Sequence, residues 1–463
     1  MRKWLPLLTV CLGTFMLLID VTIVNVALPD MRTDLGASFG ALQWVVDGYA
    51  LAMAALMLGA GSLADLAGHR RTYLAGLALF ATASLVCGLA PNPQVLIAAR
   101  IVQGVGAATM SCTTFALLNA AYAGRDRGTA YGMWGAVAGA SSAIGPIVGG
   151  LLTEIASWRW IFFVNLPFSV LAIALCLWVI AEDERAQRNR IDVAGMALFT
   201  ASAALATYAL IRANEHGWSD AVTWCLLPAS AAALIAFVTV EKRSRQPILD
   251  LALLRDRAFA GVLTAGAVLY FAAFAALMYT QIWMQSVLGL SPIAAGAVGL
   301  PLSLMAFLVS GVLGKYLHGD RPARIIGTGL AAVGVGGVVG ALLVHGDASW
   351  PALIPGFVLV GAGVGLATAT LSSAAVAAVP WERAGMATGA LNTAQQLTFA
   401  LGIATLGGLF THPDTPVAGV RLTLAVSGTV ALIGAIGVPL LMRRTPPSNT
   451  EITSTTTDLA DAQ

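Results

Sequence analysis

The chain has 463 residues, 58% of them apolar and only 10% charged, with a mean hydropathy of +0.82. A soluble domain carries about 25% charged residues, so this composition excludes a water-facing globule, a disordered chain, collagen and a disulfide scaffold. The net charge of +2 is too small for a nucleic-acid partner.

In chain order, Met1-Arg2-Lys3 and the apolar run behind it imitate a signal peptide. The run continues to about Leu28 without a small-residue cleavage site, so it reads as a first retained span. Hydropathy then predicts fourteen membrane helices, at 5–28, 41–63, 72–90, 94–118, 130–153, 161–181, 193–212, 221–240, 259–285, 293–315, 323–344, 352–375, 386–410 and 418–441. Between them no stretch is long enough for a soluble domain; the longest polar ones are Glu182 to Arg190, Glu241 to Ala258 and Arg443 to Gln463. The second alternates Ile248, Leu249, Leu251, Leu253 and Leu254 with Asp250, Arg255 and Asp256, which predicts a short helix on the inner interface. The third, rich in Thr, Ser and Asp, reads as a disordered tail. Cys11, Cys87, Cys112, Cys176 and Cys225 lie in apolar stretches without a CxxC and read as small apolar fillers, so no metal is expected.

Cytoplasmic loops should hold the excess of Lys and Arg. With fourteen spans and both termini inside, twenty of the 25 basic residues fall in inner segments, Arg32, Arg159, Arg212 and Arg421 fall outside, and Arg100 falls within a span. An odd helix count would scramble that division.

An internal repeat runs at an offset of about 250 to 259 residues. Gly61-x-Leu63-Ala64-Asp65 recurs as Gly311-x-Leu313-Gly314-Lys315, and Gly104-Val105-Gly106-x-Ala108-Thr109 as Gly363-Val364-Gly365-x-Ala367-Thr368. Gly128, Gly132, Gly145 and Gly150 answer to Gly385, Gly389, Gly402 and Gly407. The chain therefore reads as an all-α integral membrane protein of two pseudo-symmetric six-helix bundles, 1–182 and 259–442, with two inserted helices in 183–240, an interfacial linker at 241–258 and a tail at 443–463. Paired repeats of this kind mark secondary transporters that rock one half against the other.

Ionisable side chains inside spans are costly and point to function. Three are found, Asp20, Asp47 and Arg100, and a rise of about 1.5 Å per residue sets them roughly 13, 8 and 10 Å below the outer boundary, in one layer. Asp47 with Arg100 then reads either as a neutralised pair pinning the second helix to the fourth or as part of a coupling site. Asp20 is left as the surplus acid that would exchange a proton. The second half carries no intramembrane acid; its Asp320, Asp347, Glu382 and Asp414 fall in loops. It offers Thr388, Asn392, Gln395 and Gln396 on one helical face, either a hydrogen-bonded seam or a cavity wall. Tyr270, Phe274, Tyr279, Gln281, Trp283 and Gln285 form a stripe on the ninth helix, and Gly135, Gly139, Gly145, Pro146, Gly149 and Gly150 give the fifth a smooth face. His69, His216, His318, His345 and His412 form no cluster with Cys or carboxylates, which speaks against an enzyme.

Several motifs together resemble the major facilitator superfamily, and more narrowly its fourteen-helix drug:proton antiporter branch. Leu18-Ile19-Asp20-Val21-Thr22-Ile23-Val24-Asn25-Val26-Ala27-Leu28-Pro29 and Leu42-Gln43-Trp44-Val45-Val46-Asp47-Gly48-Tyr49 are similar to that branch's first two helices. Gly61-Ser62-Leu63-Ala64-Asp65-Leu66-Ala67-Gly68-His69-Arg70-Arg71 resembles the superfamily's loop motif, Arg100-x-x-Gln103-Gly104 its proton-coupling motif, and Gly139 through Gly145-Pro146-x-x-Gly149-Gly150 the motif of exporters. Trp158-Arg159-Trp160-Ile161-Phe162-Phe163-Val164-Asn165-Leu166-Pro167 is similar to the same branch. Leu66 and His69 stand where the loop motif usually has Arg, and the thirteenth helix lacks the acids that some multidrug members carry.

The resemblance implies a proton-coupled antiporter of a bacterial inner membrane, working as a monomer with H+ as its only coupling ion and no cofactor. It implies an amphipathic or cationic drug as substrate; in an apolar cavity between the bundles, Asn25, Tyr49, Tyr270, Phe274, Asn392, Gln395 and Gln396 are the expected contacts. Gly61, Asp65, Gly68, Arg70, Gly139, Gly145, Pro146, Gly149 and Gly150 would serve the conformational switch. An importer or uniporter of a metabolite on the same scaffold and a membrane sensor or scaffold are the competing readings.

Overall fold

The computed structural model describes residues 2–122, 124–180, 192–244, 249–310, 322–345, 349–379, 384–413 and 415–442, and among these it contains helices and turns but no strand. The helices are α1 (Leu5–Leu35), α2 (Phe39–Ala67), α3 (His69–Gly88), α4 (Pro93–Ala121), α5 (Gly124–Ile155), α6 (Trp160–Phe163), α7 (Asn165–Val179), α8 (Val193–His216) and α9 (Ala221–Arg243). They continue with α10 (Arg257–Leu269), α11 (Ala276–Ser286), α12 (Pro292–Val298), α13 (Leu300–Leu308), α14 (Pro322–Leu343), α15 (Ile354–Ala377), α16 (Ala384–Thr411) and α17 (Pro416–Leu441). Eleven helical stretches among the described residues are long and apolar enough to cross a membrane. Large apolar side chains such as Ile155, Trp178, Ile235, Leu342 and Ile436 are exposed while Asp20, Asp47, Gln43 and Gln103 are buried. The outside is oil-facing and the inside partly polar, as in a multi-pass membrane protein. The expected polar segment 182–190, the repeat at Gly311 to Lys315, the loop residues Asp320, Asp347, Glu382 and Asp414, and the tail 443–463 lie outside the described residues.

Helix starts follow local chemistry. Ser38, Asn92, Asp192, Asp220, Asp256, Ser291 and Thr415 each accept a hydrogen bond from a backbone amide in the first turn of the helix they precede, worth about 1 kcal/mol per cap. The α2–α3 corner turns on Gly68, whose φ of 92° is a conformation that glycine adopts without strain. Three expected single helices are interrupted. α6 stops at Phe163, the carbonyl that would have bonded the missing N–H of Pro167. α12 and α13 part at Gly299, two residues before Pro301, and α10 passes into α11 through a π-helical turn, Tyr270–Ala275. α1 instead runs through Pro29 to Leu35, leaving the Asn25 carbonyl without its helical donor. Ile248 lies outside the described residues; over 249–258 the predicted interfacial helix is replaced by a single 3-10 turn, Leu253–Arg255, with Leu249 and Leu253 against Phe259, Ala387 and Ala390.

α1 packs on α5 and α7, and α4 on α2 and α3; α14 packs on α15 and α17, α13 on α15, and α10 on α16. These two groups meet along α2 with α16, α5 with α12 and α13, and α1 with α11. α8 and α9 form a hairpin whose α8 touches both α2 and α16. Beside the hairpin turn, Arg212 Nε donates to Asp220 Oδ2 at 2.6 Å while Asp220 caps Thr223 at 3.1 Å. The Arg212 hydrogen bond is the main reason that the Asp220 carboxyl is held down to about 2 from 3.8. Because the folded value is the lower one, the stability that the ionised group adds is complete above 3.8 and is lost as pH falls toward about 2. In thermal unfolding followed against pH, the difference between wild type and Asp220→Asn should be constant above 3.8 and vanish toward about 2.

Candidate functional site

A buried polar cluster lies where α1, α3, α4 and α7 converge. Asp20 comes from the middle of α1, Arg100 and Gln103 from one face of α4, Ser84 from the last turns of α3, and Asn165 from the first residue of α7, freed for this role by the break before it. Arg100 Nη1 lies 2.5 Å from Asp20 Oδ2 and 2.7 Å from Gln103 Oε1, and Arg100 Nε donates to the Val45 carbonyl at 3.0 Å. Asp20 Oδ1 accepts from Gln103 Nε2 at 2.9 Å and Asn165 Nδ2 at 3.2 Å, and both amides also donate to Ser84 Oγ. The Arg100 guanidinium lies 4.2 Å from the centre of the Tyr49 ring, whose negative π face favours the cation. Asp20 and Arg100 are 0% and 1% exposed. All of these contacts come from α1, α2, α3, α4 and α7.

This arrangement reverses the expected pairing. Arg100 pairs with Asp20, not with Asp47, and Asp20 is not the surplus acid. The reason is helical phase: at 100° per residue, Tyr49 is turned about 200° from Asp47, and it is Tyr49 that α2 presents to Arg100. Depth along the axis set the three groups in one layer, but azimuth separates Asp47 from the other two. Neither carboxyl oxygen of Asp47 has a hydrogen-bond partner, and the residue is 0% exposed.

Asp47 belongs instead to the seam between the two halves. On α2, Gln43 Nε2 donates to the Ile403 carbonyl of α16 at 3.1 Å and to Tyr279 Oη of α11 at 3.0 Å; Tyr279 also donates to Ile403. Farther along the same α2 face, the Ala54 carbonyl accepts from Thr393 Oγ1 of α16 at 3.1 Å. Asp47 lies between these contacts. Beside them, Asn214 Nδ2 of α8 donates to the Ala404 carbonyl at 2.6 Å and Glu215 accepts from the Gly40 amide at 3.1 Å. The two amides sit over Gly407 and Gly408, where an added Cβ would lie 2.1 Å from Gln43 Nε2 and 2.2 Å from Asn214 Oδ1. At the same end, Gln285 Nε2 donates to the Val26 carbonyl at 2.8 Å. An open cavity of about 560 Å³ lies there too, lined by Pro29, Asp30, Arg32, Gly36, Gln285 and their neighbours.

The expected drug contacts are dispersed. Tyr49 is buried against Arg100, Asn25 is buried with Oδ1 unpartnered, and Gln395 is buried against Gly266. Asn392 and Gln396 are half-buried on α16. Tyr270 and Phe274 are half-buried on the π turn, their ring centres 4.7 Å apart, and such turns recur at functional sites.

Of the switch residues, Gly61 and Asp65 lie on α2 and Gly139 on α5, with their side-chain surroundings outside the described ones. Arg70 Nη2 donates to the Leu177 carbonyl in the last turn of α7 at 2.8 Å. Gly145 and Gly149 let α5 approach Thr22 and Ile23 of α1, whereas Gly150 and the Pro146 carbonyl meet Pro292 and Gly296 of α12 in the other half. Ser84 carries no expectation from sequence; Gln103, Gln43 and Asn165 enter there only within quoted motifs, and Tyr279 only within the ninth-helix stripe, none with a role of its own. Gln103, three residues after Arg100, and Gln43, four before Asp47, could have been found by helical spacing; nothing in the sequence marks Ser84.

The sequence profile of the Major Facilitator Superfamily matches residues 10–403 and, overlapping them, 318–460, and the chain belongs to that superfamily. It is 37% identical over 407 residues to the multidrug resistance protein Stp of Mycobacterium tuberculosis, covering 88% of this chain and 75% of the relative. It is 34% identical over 457 residues to the puromycin resistance protein pur8 of Streptomyces alboniger, covering 95% and 90%. In fold it is similar to a POT family transporter crystallised with a thioalcohol conjugated peptide, with a TM-score of 0.71 at 16% identity over 94% of this chain and 96% of that one.

Proposed function

We propose that the protein exports amphipathic or cationic drugs in exchange for protons, by alternating access, across a bacterial inner membrane. The observation that carries this reading is a set of fully buried ionisable residues, Asp20, Asp47 and Arg100, at and beside the seam between two helical groups. Ionisable groups at such depth in lipid are kept where ions or protons move. The names of the relatives, for multidrug and puromycin resistance, support drugs as the substrate class.

In this reading α5, α12 with α13, and α16 complete the eleven long apolar stretches to fourteen spans. Both termini lie in the cytoplasm, α8 and α9 are inserted between two related bundles, and the α1–α2 end faces outward. The chain works as a monomer, without a cofactor and without catalysing a covalent reaction. Drug contacts would come from Asn25, Tyr270, Phe274, Asn392 and Gln396 as the halves part. The α2–α3 corner at Gly68 and Arg70 and the glycines of α5 would govern the switch.

The test is export by cells lacking their own pumps. Expression should raise tolerance to puromycin and to cationic dyes, and a protonophore should remove the gain. In vesicles with an acidic lumen and an inside-out protein, dye should accumulate within. Accumulation driven by the opposite proton gradient would establish an importer, and indifference to the gradient a uniporter.

A further inference from the structure

The two intramembrane acids have opposite surroundings. Asp20 accepts hydrogen bonds from Arg100, Gln103 and Asn165 on its two oxygens, and its charge is matched by the guanidinium 2.5 Å away. Protonating it would orphan a buried arginine. Asp47 is equally buried and receives no hydrogen bond on either oxygen. An ionised carboxylate without donor or counter-charge in a low-dielectric interior is so costly that the group takes a proton instead.

The position of Asp47 gives that proton a consequence. Asp47 follows Gln43 by one turn and precedes Ala54 by two on the α2 face that bonds α16, so it is sealed by the approach of the second half. α16 carries no acidic, basic or histidine side chain from Ala384 to Thr411 that could compensate it. The titratable groups on the other elements around α2 are engaged elsewhere. Tyr279 of α11 donates to Ile403, and Arg100 of α4 pairs with Asp20 of α1. Cys87 of α3 lies at Gln103; on α8, Arg212 pairs with Asp220 and Glu215 accepts from Gly40, while Tyr208 lies against Trp44.

We infer that Asp47, not Asp20, carries the exchanged proton, and that α2 can close against α16 only with Asp47 in its neutral acid form. This rests on the antiport reading above. With the outer ends apart, water from the outer side reaches the carboxyl and delivers the proton; with α2 against α16 the seam holds only the acid, and the proton leaves when opening of the inner end admits water to Asp47 from that side. Proton and conformation are thereby linked without any contact between Asp47 and the drug. Asp20 and Arg100 remain a fixed ion pair throughout the cycle.

Two measurements on the full chain in lipid vesicles test this. Infrared difference spectra between wild type and Asp47→Asn should contain the C=O stretch of a protonated carboxyl group at neutral pH. The spectrum of Asp20→Asn against wild type should lose a carboxylate band instead. In transport, Asp47→Asn should bring accumulation of a cationic dye under an imposed proton gradient down to the protein-free level while dye-for-dye exchange persists, and Asp47→Glu should restore gradient-driven accumulation with a displaced pH profile. Absence of the carboxyl band, or gradient-driven accumulation by Asp47→Asn at the wild-type level, would overturn the assignment. So would equal loss of exchange and accumulation in both the Asn and Glu variants, which would make Asp47 a packing residue. Failure of the wild type itself to respond to the gradient would instead sink the antiport reading, leaving the infrared result to stand alone.

Discussion

Arg100→Ala is expected to destabilise the protein by about 3–5 kcal/mol, the usual cost of leaving one partner of a buried ion pair uncompensated, and to abolish transport. The Asp20 carboxylate would keep its amide donors from Gln103 and Asn165 but lose the cation beside it. Tyr49 would lose the guanidinium over its ring, and the Val45 carbonyl an extra donor. Denaturant unfolding in detergent micelles measures the effect. Adding Asp20→Asn to Arg100→Ala should recover part of the loss, because the stranded charge is then gone. Arg100→Lys should rescue little: a lysine ammonium offers no planar fork to reach Asp20, Gln103 and Val45 together. If Arg100→Ala costs no more than an exposed pair, below about 1 kcal/mol, the cluster is not dry and the description of Asp20 as a fixed partner fails.

Gly150→Val should act on conformation more than on folding. A Cβ at Gly150 would lie 2.5 Å from the Pro292 carbonyl oxygen and 2.7 Å from Ile293 Cα, both backbone atoms of α12 in the other half. Overpacking of this sort costs about 1–3 kcal/mol, and here it burdens only the state in which α5 and α12 touch. The balance of states should move about 5- to 150-fold toward separation at this end. Spin labels on Ile155→Cys and Val287→Cys, in a chain freed of its native cysteines, should report a longer mean distance in the valine variant. Gly149→Ala is the contrasting case. Its Cβ would press on Ile23 Cγ1 at 2.8 Å and the Ile23 carbonyl at 3.0 Å, both on α1 of the same half, so it should lower stability without moving the labels. Equal label distances in wild type and Gly150→Val would show that the α5–α12 approach does not gate this end.

What could be read in advance followed from quantities that a linear chain carries plainly. Apolar runs gave the helices, and the rarity of charge in them singled out Asp20, Asp47 and Arg100. What could not be read was phase and register. Rise per residue set the three groups at one depth, whereas their pairing depended on rotation about α2 and α4, and it went to Asp20. Helical interruptions were illegible for the same reason. Pro167 breaks its helix at Phe163, yet Pro29 is absorbed within α1, because tertiary packing decides whether a missing hydrogen bond bends a helix or ends it. The π turn at Tyr270–Ala275 shifts the register of every later side chain in that span, and no residue type announces it. Ser84 and Asn165 entered the cluster only once α3 and α7 were packed against α4.

The closeness of Asp20 and Arg100 has an electrical side. An unpaired charge carried through the membrane field exchanges about 2.3 kcal/mol for each 100 mV it crosses. A carboxylate and a guanidinium 2.5 Å apart move as a dipole of zero net charge. However far the half that holds them tilts, the pair performs almost no work against the membrane voltage. In the proposed exchange, whatever voltage dependence transport shows must then belong to the passengers: exchange of one proton for a monovalent cation would be electrically silent, and exchange for a neutral drug would carry current.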